Sequence, residues 1–429
     1  MKIELISTGT ELLTGKANTN AAFVGQRLLD LGFELCAVID ISDRKNDLIA
    51  QLQRSLQRSD IIIITGGLGP TFDDITVETT AQCLGAQIYS DETVLKDIVD
   101  FFKKRNISYI SNNNNRQANI IKGAKILRNK YGTAPGQMIE CQYESIPKTI
   151  FLFPGPPREI KPLWEEYAQP YFQSLVKGFR INKKIHICGL GESTVEELIS
   201  PVINETLSLP QLKDCVEFGI LAHNAVITVK FSVWGAKEDF VANTANSIAD
   251  KIKEILKDDI FAYDEDSIET MIGKLLRKNH QTIATAESCT GGMIAQRITD
   301  IAGSSDYFKG TIVSYSNEAK ISLLGVKKET IESFGAVSPQ SASEMAKGAL
   351  RAFNTDFAVS STGIAGPGGG SKEKPVGLVY IAIASKDKTE VFKYNFIGGR
   401  QDIRERTVNT AFDILRRFIV GKQKKTGGK

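Results

Sequence analysis

The run Asp60-Ile61-Ile62-Ile63-Ile64-Thr65-Gly66-Gly67-Leu68-Gly69-Pro70-Thr71-Phe72-Asp73-Asp74 decides how this chain folds. An unbroken isoleucine run between an aspartate and a glycine pair reads as a strand covered on both faces. Such strands belong to parallel sheets flanked by helices, and the neighbouring sequence alternates accordingly. Residues 2–7 read as a short strand before the loop Thr8-Gly9-Thr10-Glu11. Asn18, Thr19 and Asn20 offer N-caps to a helix with Val24, Leu28 and Leu31 on one face. Gly32 stands where a glycine stops such a helix. A strand over 33–41 follows, then a helix with Leu48, Leu52 and Leu56 at spacing four. A third helix carries Val77, Ala81 and Leu84 and stops at Gly85. Three such units imply a parallel sheet, with ligands at the carboxyl ends of its strands.

Further out, a proline-bearing stretch from Pro147 to Pro170 closes this first domain, taken as 1–170. A smaller α/β domain over 171–262 follows, its clearest strand being Val226–Val233, where Ile227, Val229, Phe231 and Val233 alternate with polar residues. An amphipathic helix ends near Asp258, and the acidic run DDIFAYDED (258–266) reads as a linker. A third α/β unit, 263–423, opens with a helix marked by Ile268, Ile272 and Leu275. Strands are expected at Thr282–Ala286, Thr311–Tyr315, Phe357–Ser361 and Val376–Ala384, with helices from Thr290, Asn317 and Pro339. The last residues, 424–429, read as a frayed basic tail.

Composition narrows the chemistry. The 429 residues carry 53 Lys and Arg against 50 Asp and Glu, with 42% hydrophobic and 24% charged residues. That length fits several domains, and this composition excludes disorder as the main state. A net charge of +3 leaves no case for nucleic-acid binding by bulk charge. The start, MKIELISTGTELL, lacks the features of a signal peptide, and no run nears the roughly 20 apolar residues of a membrane span. The 6 cysteines form no CxxC pair, so reduced thiols in the cytoplasm are expected. The 3 histidines, His186, His223 and His280, lie far apart, without HExxH or GxSxG. Any hydrolysis here is expected to run without a catalytic histidine.

Four motifs remain. After the isoleucine run, Gly66, Gly67 and Gly69, with Thr71 beside them, let backbone N–H groups cradle phosphate oxygens. Asp73 and Asp74 are hard oxygen ligands of the kind Mg²⁺ prefers, and Glu11 belongs to the loop after the first strand. The alternative is a plain turn whose aspartates stabilise the next helix dipole. A P-loop is excluded, because Gly9 to Gly15-Lys16 is one residue too long and Ala17 replaces the hydroxyl.

The second motif is Ala286-Glu287-Ser288-Cys289-Thr290-Gly291-Gly292, between a strand and a helix. Ser288 is placed like a nucleophile beside free N–H groups, Cys289 is its rival, and an ordinary N-cap is the third reading. Without histidine, the known solution is a Ser–Lys pair, and Gly291 rules out S-x-x-K spacing. The third motif, Tyr315-Ser316-Asn317-Glu318-Ala319-Lys320, supplies a tyrosine and a lysine; alone, Lys320 also reads as a solvated helix residue. The fourth, Ser360-Ser361-Thr362-Gly363-Ile364-Ala365-Gly366-Pro367-Gly368, suits a phosphate or ribose, with Arg400 and Arg404 as guanidinium partners. A flexible hairpin connection is its plain alternative.

Together these motifs resemble the CinA family, named for competence and damage inducibility, over nearly the whole chain. AESCTGG, SYSNEAK and STGIAGPGGGSKEKPVG, in this order, resemble the family's C-terminal nicotinamide-nucleotide amidase domain. TGTELLTGKANTN, TGGLGPTFDD, NKYGTAPG and FPGPPRE resemble its molybdopterin-binding-like domain, with ADP-ribose pyrophosphatase activity in some members. The middle segment is similar in position to a small KH-like domain; it has no GxxG loop, so RNA binding is not carried over. The resemblance implies hydrolysis of nicotinamide mononucleotide to nicotinate mononucleotide and ammonia, without a cofactor. It implies Ser288 as nucleophile, Lys320 as general base, Tyr315 as accessory group and Thr362 in the same site. N–H groups near Thr290 and Gly291 would hold the oxyanion; Gly363, Gly366, Gly368, Arg400 and Arg404 would meet the phosphate. In the first domain it implies Glu11, Asp73 and Asp74 as ligands of Mg²⁺, Mn²⁺ or Co²⁺, and ADP-ribose as substrate at Gly66, Gly67, Gly69 and Thr71. A homodimer is implied too. The rival functions are a non-catalytic nucleotide sensor and a molybdopterin-binding protein.

Overall fold

A computed structural model describes residues 1–107 and 111–421. The expected basic tail at 424–429 lies outside the described residues. The chain divides into two compact units, Met1–Arg180 and Ile181–Lys429.

The first unit holds β1 (Ile3–Thr8), β2 (Leu35–Ile41), β3 (Ile61–Thr65), β4 (Ile88–Ser90), β5 (Asn119–Ile121), β6 (Lys125–Leu127), β7 (Gly136–Tyr143) and β8 (Ile146–Phe153). Its main sheet runs β2-β1-β3-β8-β7-β6, and β4 pairs separately with β5. The isoleucine strand sits inside it, as its composition dictates. Ile61 and Ile63 face a cluster built with Val24, Leu28, Trp164 and Phe172. Ile62 and Ile64 face the opposite layer, where Leu48, Leu52 and Leu56 descend from the helix Lys45–Arg58. Burying each such side chain contributes roughly 1.5–3 kcal/mol. The strands from β2 to β8 pair in parallel, and β7 and β6 extend the sheet antiparallel. The cause is a two-residue turn, Glu144 and Ser145, at φ 51° and 65°. A link that short makes a hairpin, never a parallel crossover.

The second unit opens with a four-stranded sheet: β9 (Phe179–Cys188), β10 (Val216–His223), β11 (Val226–Gly235) and β12 (Ile260–Tyr263), in the order β10-β11-β9-β12. The helices Glu192–Ser208 and Glu238–Leu256 close its core against Val229, Phe231 and Val233. The expected linker at 258–266 needs correction. Ile260, Phe261 and Ala262 are buried within it and form β12, antiparallel to β9. The acidic flanks mask a short apolar strand.

The remaining sheet runs β14 (Phe308–Val313), β13 (Ile283–Glu287), β15 (Phe357–Gly363), β16 (Leu378–Ser385) and β17 (Thr389–Asn395), in that spatial order. Helix Pro339–Phe353 covers one face, and helices Ile268–Lys278 and Arg400–Ile419 cover the other. β13 is parallel to both neighbours, with Glu287 opposite Val313 on one side and Ser361 on the other. Three motifs far apart in sequence therefore leave the sheet at one edge. No helix among the described residues is long and apolar enough to cross a membrane.

Candidate active site

Ser288 follows directly on β13, and its N–H donates to Ser361 O at 3.0 Å. Thr290 Oγ1 lies 2.6 Å from Ser361 Oγ, so β15 grips the turn at both ends. Gly291 and Gly292, at φ 59° and 94°, take a conformation that favours glycine and reverse the chain sharply. The next parallel strand delivers Lys320, in the helix Asn317–Leu324, whose start is capped by Ser316 Oγ accepting from Ala319 N at 3.1 Å. Lys320 is 1% exposed. Its Nζ donates to Ser288 Oγ at 3.1 Å and to Ser314 O at 2.8 Å. Burial pulls the ammonium below the usual lysine range, and both of these hydrogen-bond partners are neutral oxygens. A neutral amine there can keep its bond to Ser314 O while its lone pair takes the Ser288 proton. For the rival thiol, burial outweighs the favourable effects of Ser361 and Lys320. Burial pushes Cys289 up to about 12, so it stays protonated at neutral pH.

The helix after this turn begins at Met293, not at Thr290. Its first N–H groups are already taken. The buried Glu287 carboxylate accepts from Gly292 N at 2.9 Å, Ile294 N at 3.1 Å and Ala295 N at 2.9 Å. Gly291 N donates to Ser288 O at 3.1 Å, so it is not available to an oxyanion as expected. Among the described residues, the N–H groups of Cys289 and Thr290 donate to no main-chain oxygen. Glu287 was the residue that pattern reading passed over; its only signal was a carboxylate ending an apolar strand before two glycines. Glu287→Gln is expected to cost about 2–4 kcal/mol, because the new amide turns N–H groups toward N–H donors. The midpoint of urea unfolding reads this.

Tyr315 is 63% exposed, and its hydroxyl accepts from Arg400 NH2 at 2.9 Å rather than touching Lys320. Arg400 NH1 also donates to Gly366 O at 2.7 Å. One turn on, Arg404 NH2 donates to Thr290 O at 2.8 Å. The two arginines thus join the serine turn, the Tyr315 segment and the glycine loop. Thr362 is buried, and its hydroxyl donates to Ala336 O at 2.8 Å, holding the segment before helix Pro339–Phe353. Gly363 and Gly366 serve close packing, since a Cβ would lie 2.6 Å from Val379 Cγ2 and 2.6 Å from Val376 Cγ1, respectively. Gly368 faces open space, in the exposed run 367–373.

In the first unit, a cleft of about 390 Å³ lies where β1 and β3 end, lined by Glu11, Gly66, Gly67, Gly69, Asp73 and Asp74 among others. A Cβ on Gly66 would sit 2.5 Å from Thr8 O, and on Gly67 2.3 Å from Thr76 Oγ1, so only glycine fits. The exposed Thr71 closes the loop: its N–H donates to Asp74 Oδ2 at 2.8 Å, and its hydroxyl also donates there. Glu11 pairs with Lys16 at 3.3 Å, and Asp73 is exposed. The three expected metal ligands share the cleft without converging; no metal-holding group of three His, Cys, Asp or Glu exists among the described residues. With Asp74 and Glu11 engaged elsewhere, they do not fit a preformed cation site. Asp43 and Glu159 line the cleft unanticipated. Glu159 is buried, which raises its carboxyl above the usual range against a 2.8 Å hydrogen bond from Asn129 Nδ2. A lone glutamate after two prolines carried no signal.

Family models match the chain in three successive stretches. Residues 4–174 match a probable molybdopterin binding domain, 182–262 the damage-inducible protein CinA KH domain, and 265–419 the CinA C-terminal domain. A CinA-like protein of Endomicrobium trichonymphae is 54% identical over 427 residues, covering 98% of this chain and 99% of its own. The crystal structure of competence/damage inducible protein CihA from Agrobacterium tumefaciens shares 46% identity, covering 35% of this chain and 92% of its own, with a TM-score of 0.34. That of competence damage-inducible protein A (ComA) from Klebsiella pneumoniae shares 30%, covering 36% and 97%, with a TM-score of 0.35.

Proposed function

This chain belongs to the CinA family, and we propose that its C-terminal domain hydrolyses nicotinamide mononucleotide to nicotinate mononucleotide and ammonia. The observation that carries this reading is the buried 3.1 Å contact between Lys320 Nζ and Ser288 Oγ. Ser288 Oγ attacks the carboxamide carbon while neutral Lys320 accepts its proton. The oxyanion so formed is stabilised by the Cys289 and Thr290 N–H groups. The C–N bond then breaks, and Lys320 passes its proton to the departing nitrogen, releasing ammonia. Water attacks the acyl carbon and gives a proton to Lys320, which returns it to Ser288 as nicotinate mononucleotide leaves. Arg400, Arg404 and the exposed loop at 367–373 are the groups assigned to the 5′-phosphate; each guanidinium keeps N–H donors beyond its bonds to the protein.

The test is ammonia and nicotinate mononucleotide formation by the purified chain, with free nicotinamide as the control that lacks the phosphate. Turnover of the nucleotide supports the reading; no ammonia from it removes the reading.

For the first unit, the glycine cleft favours a second proposal, the binding of a pyrophosphate-bearing nucleotide. ADP-ribose is the ligand that family resemblance implies, with AMP and ribose 5-phosphate as products. Since the carboxylates do not fit a preformed cation site, no step is routed through a metal. Calorimetry with ADP-ribose tests binding, and AMP release with added Mg²⁺, Mn²⁺ or Co²⁺ tests hydrolysis. Absence of both leaves this cleft without the proposed ligand.

A further inference from the structure

The middle domain meets the amidase domain at the tip of the β10–β11 hairpin. The turn is Asn224-Ala225, at φ 45° and 68°, the tight form that suits a two-residue hairpin. Hairpin tips ordinarily face water, yet Asn224 is 9% exposed. Its Nδ2 donates to Glu405 Oε2, and its main-chain oxygen accepts from Asn409 Nδ2 at 2.7 Å. Cys188 Sγ donates to Ala225 O at 3.2 Å, tying the tip back to β9.

Two hydrogen-bonded routes lead from this tip to the serine turn. Along the first, Gln401 Nε2 donates to Glu405 Oε1 at 2.8 Å, and Arg404 NH1 donates to Gln401 Oε1 at 3.3 Å. Arg404 NH2 then reaches Thr290 O. Along the second, Arg297 NH1 donates to Asn409 Oδ1 at 2.6 Å. Arg297 stands on the helix Met293–Thr299 that leaves the serine turn and is capped by Glu287. Removing one member of such a network leaves its neighbours partly unsatisfied.

We propose that Asn224 is a positioning residue for the amidase reaction. The connector's hairpin holds the helix Arg400–Ile419 where Arg404 fixes the Thr290–Gly291 peptide, next to the two N–H groups assigned to the oxyanion. The role of the small domain is then to set the geometry of a site that it does not enter. This rests on the amidase reading above.

The test compares kcat and KM for nicotinamide mononucleotide in wild type, Asn224→Asp, Glu405→Gln and the double variant. Asn224→Asp sets a carboxylate against Glu405 and is expected to lower kcat about tenfold or more, with KM changing far less, as small misplacements of reacting groups do. In the double variant the glutamine amide donates to the new carboxylate while its oxygen still accepts from Gln401. Recovery of kcat to within about threefold of wild type supports the inference. Urea midpoints of the set separate this from unfolding. An active wild type with unchanged kcat in Asn224→Asp, or a loss that the second substitution leaves untouched, overturns the inference alone. A wild type without turnover removes both it and the reading beneath it.

Discussion

Lys320→Met is expected to lower kcat for ammonia release by about 10³-fold or more while leaving the fold intact. Methionine fills similar buried space without the amine, so the loss isolates the base from the packing. The pH profile gives the sharper test. Lys320 must be neutral to take the Ser288 proton, so the rate rises with pH and levels off above its folded value. Burial pulls that value below the usual lysine range, so the rising limb is expected at lower pH than for a free lysine. The variant is expected to lose this limb. The sign for stability follows from the same shift. Between the folded value and the higher unfolded one, the unfolded chain binds the extra proton, so stability rises with pH there. Below the folded value, a charge is carried in a buried site at a cost. Removing the lysine is therefore expected to hold or raise the urea midpoint at neutral pH. An unchanged limb in Lys320→Met would assign the base elsewhere.

Which parts of this were legible in the sequence follows from how local each cause is. The isoleucine strand, the Asn18 cap that accepts from Ala21 N, and the Leu48, Leu52 and Leu56 face are local patterns, and all lie where periodicity placed them. The hairpin through Glu144 and Ser145 carries no glycine or asparagine, so its positive φ values left no trace. β12 was hidden because its three buried residues sit between aspartates. The helix after Ser288 starts late because Glu287, seven residues before Ile294, supplies the carboxylate that caps it. No local cap rule covers that distance. Tyr315 pairs with Arg400 and Thr362 with Ala336, across 85 and 26 residues. Such partners are chosen by the sheet edge where the loops meet, and motif spacing is blind to them. By contrast, the contact between Ser288 and Lys320 needs only two parallel neighbouring strands that end on one face, and the family resemblance, not the motif spacing, implied that pair.

The greatest loss is expected from Ser288→Ala, about 10⁴–10⁶-fold in kcat, with Cys289→Ala retaining most activity. The alanine removes the attacking oxygen and one of two acceptors of Lys320; Ser314 O still holds the amine, so the site stays assembled. The adjacent thiol cannot substitute. At about 12 it presents almost no thiolate at neutral pH, and it is packed into the core beside Ile294 and Val359. The two readings of AESCTGG therefore separate cleanly. If the thiol attacked, Cys289→Ala would be inactive and Ser288→Ala would keep substantial turnover. Acid quench during turnover adds a direct readout, because the acyl intermediate makes the chain heavier by the nicotinate mononucleotide acyl group. Peptide mass mapping is expected to find that group on Ser288 in wild type and in Cys289→Ala, and to find none in Ser288→Ala. An adduct on Cys289 would reverse the assignment, and would require the surrounding core to open before each turnover.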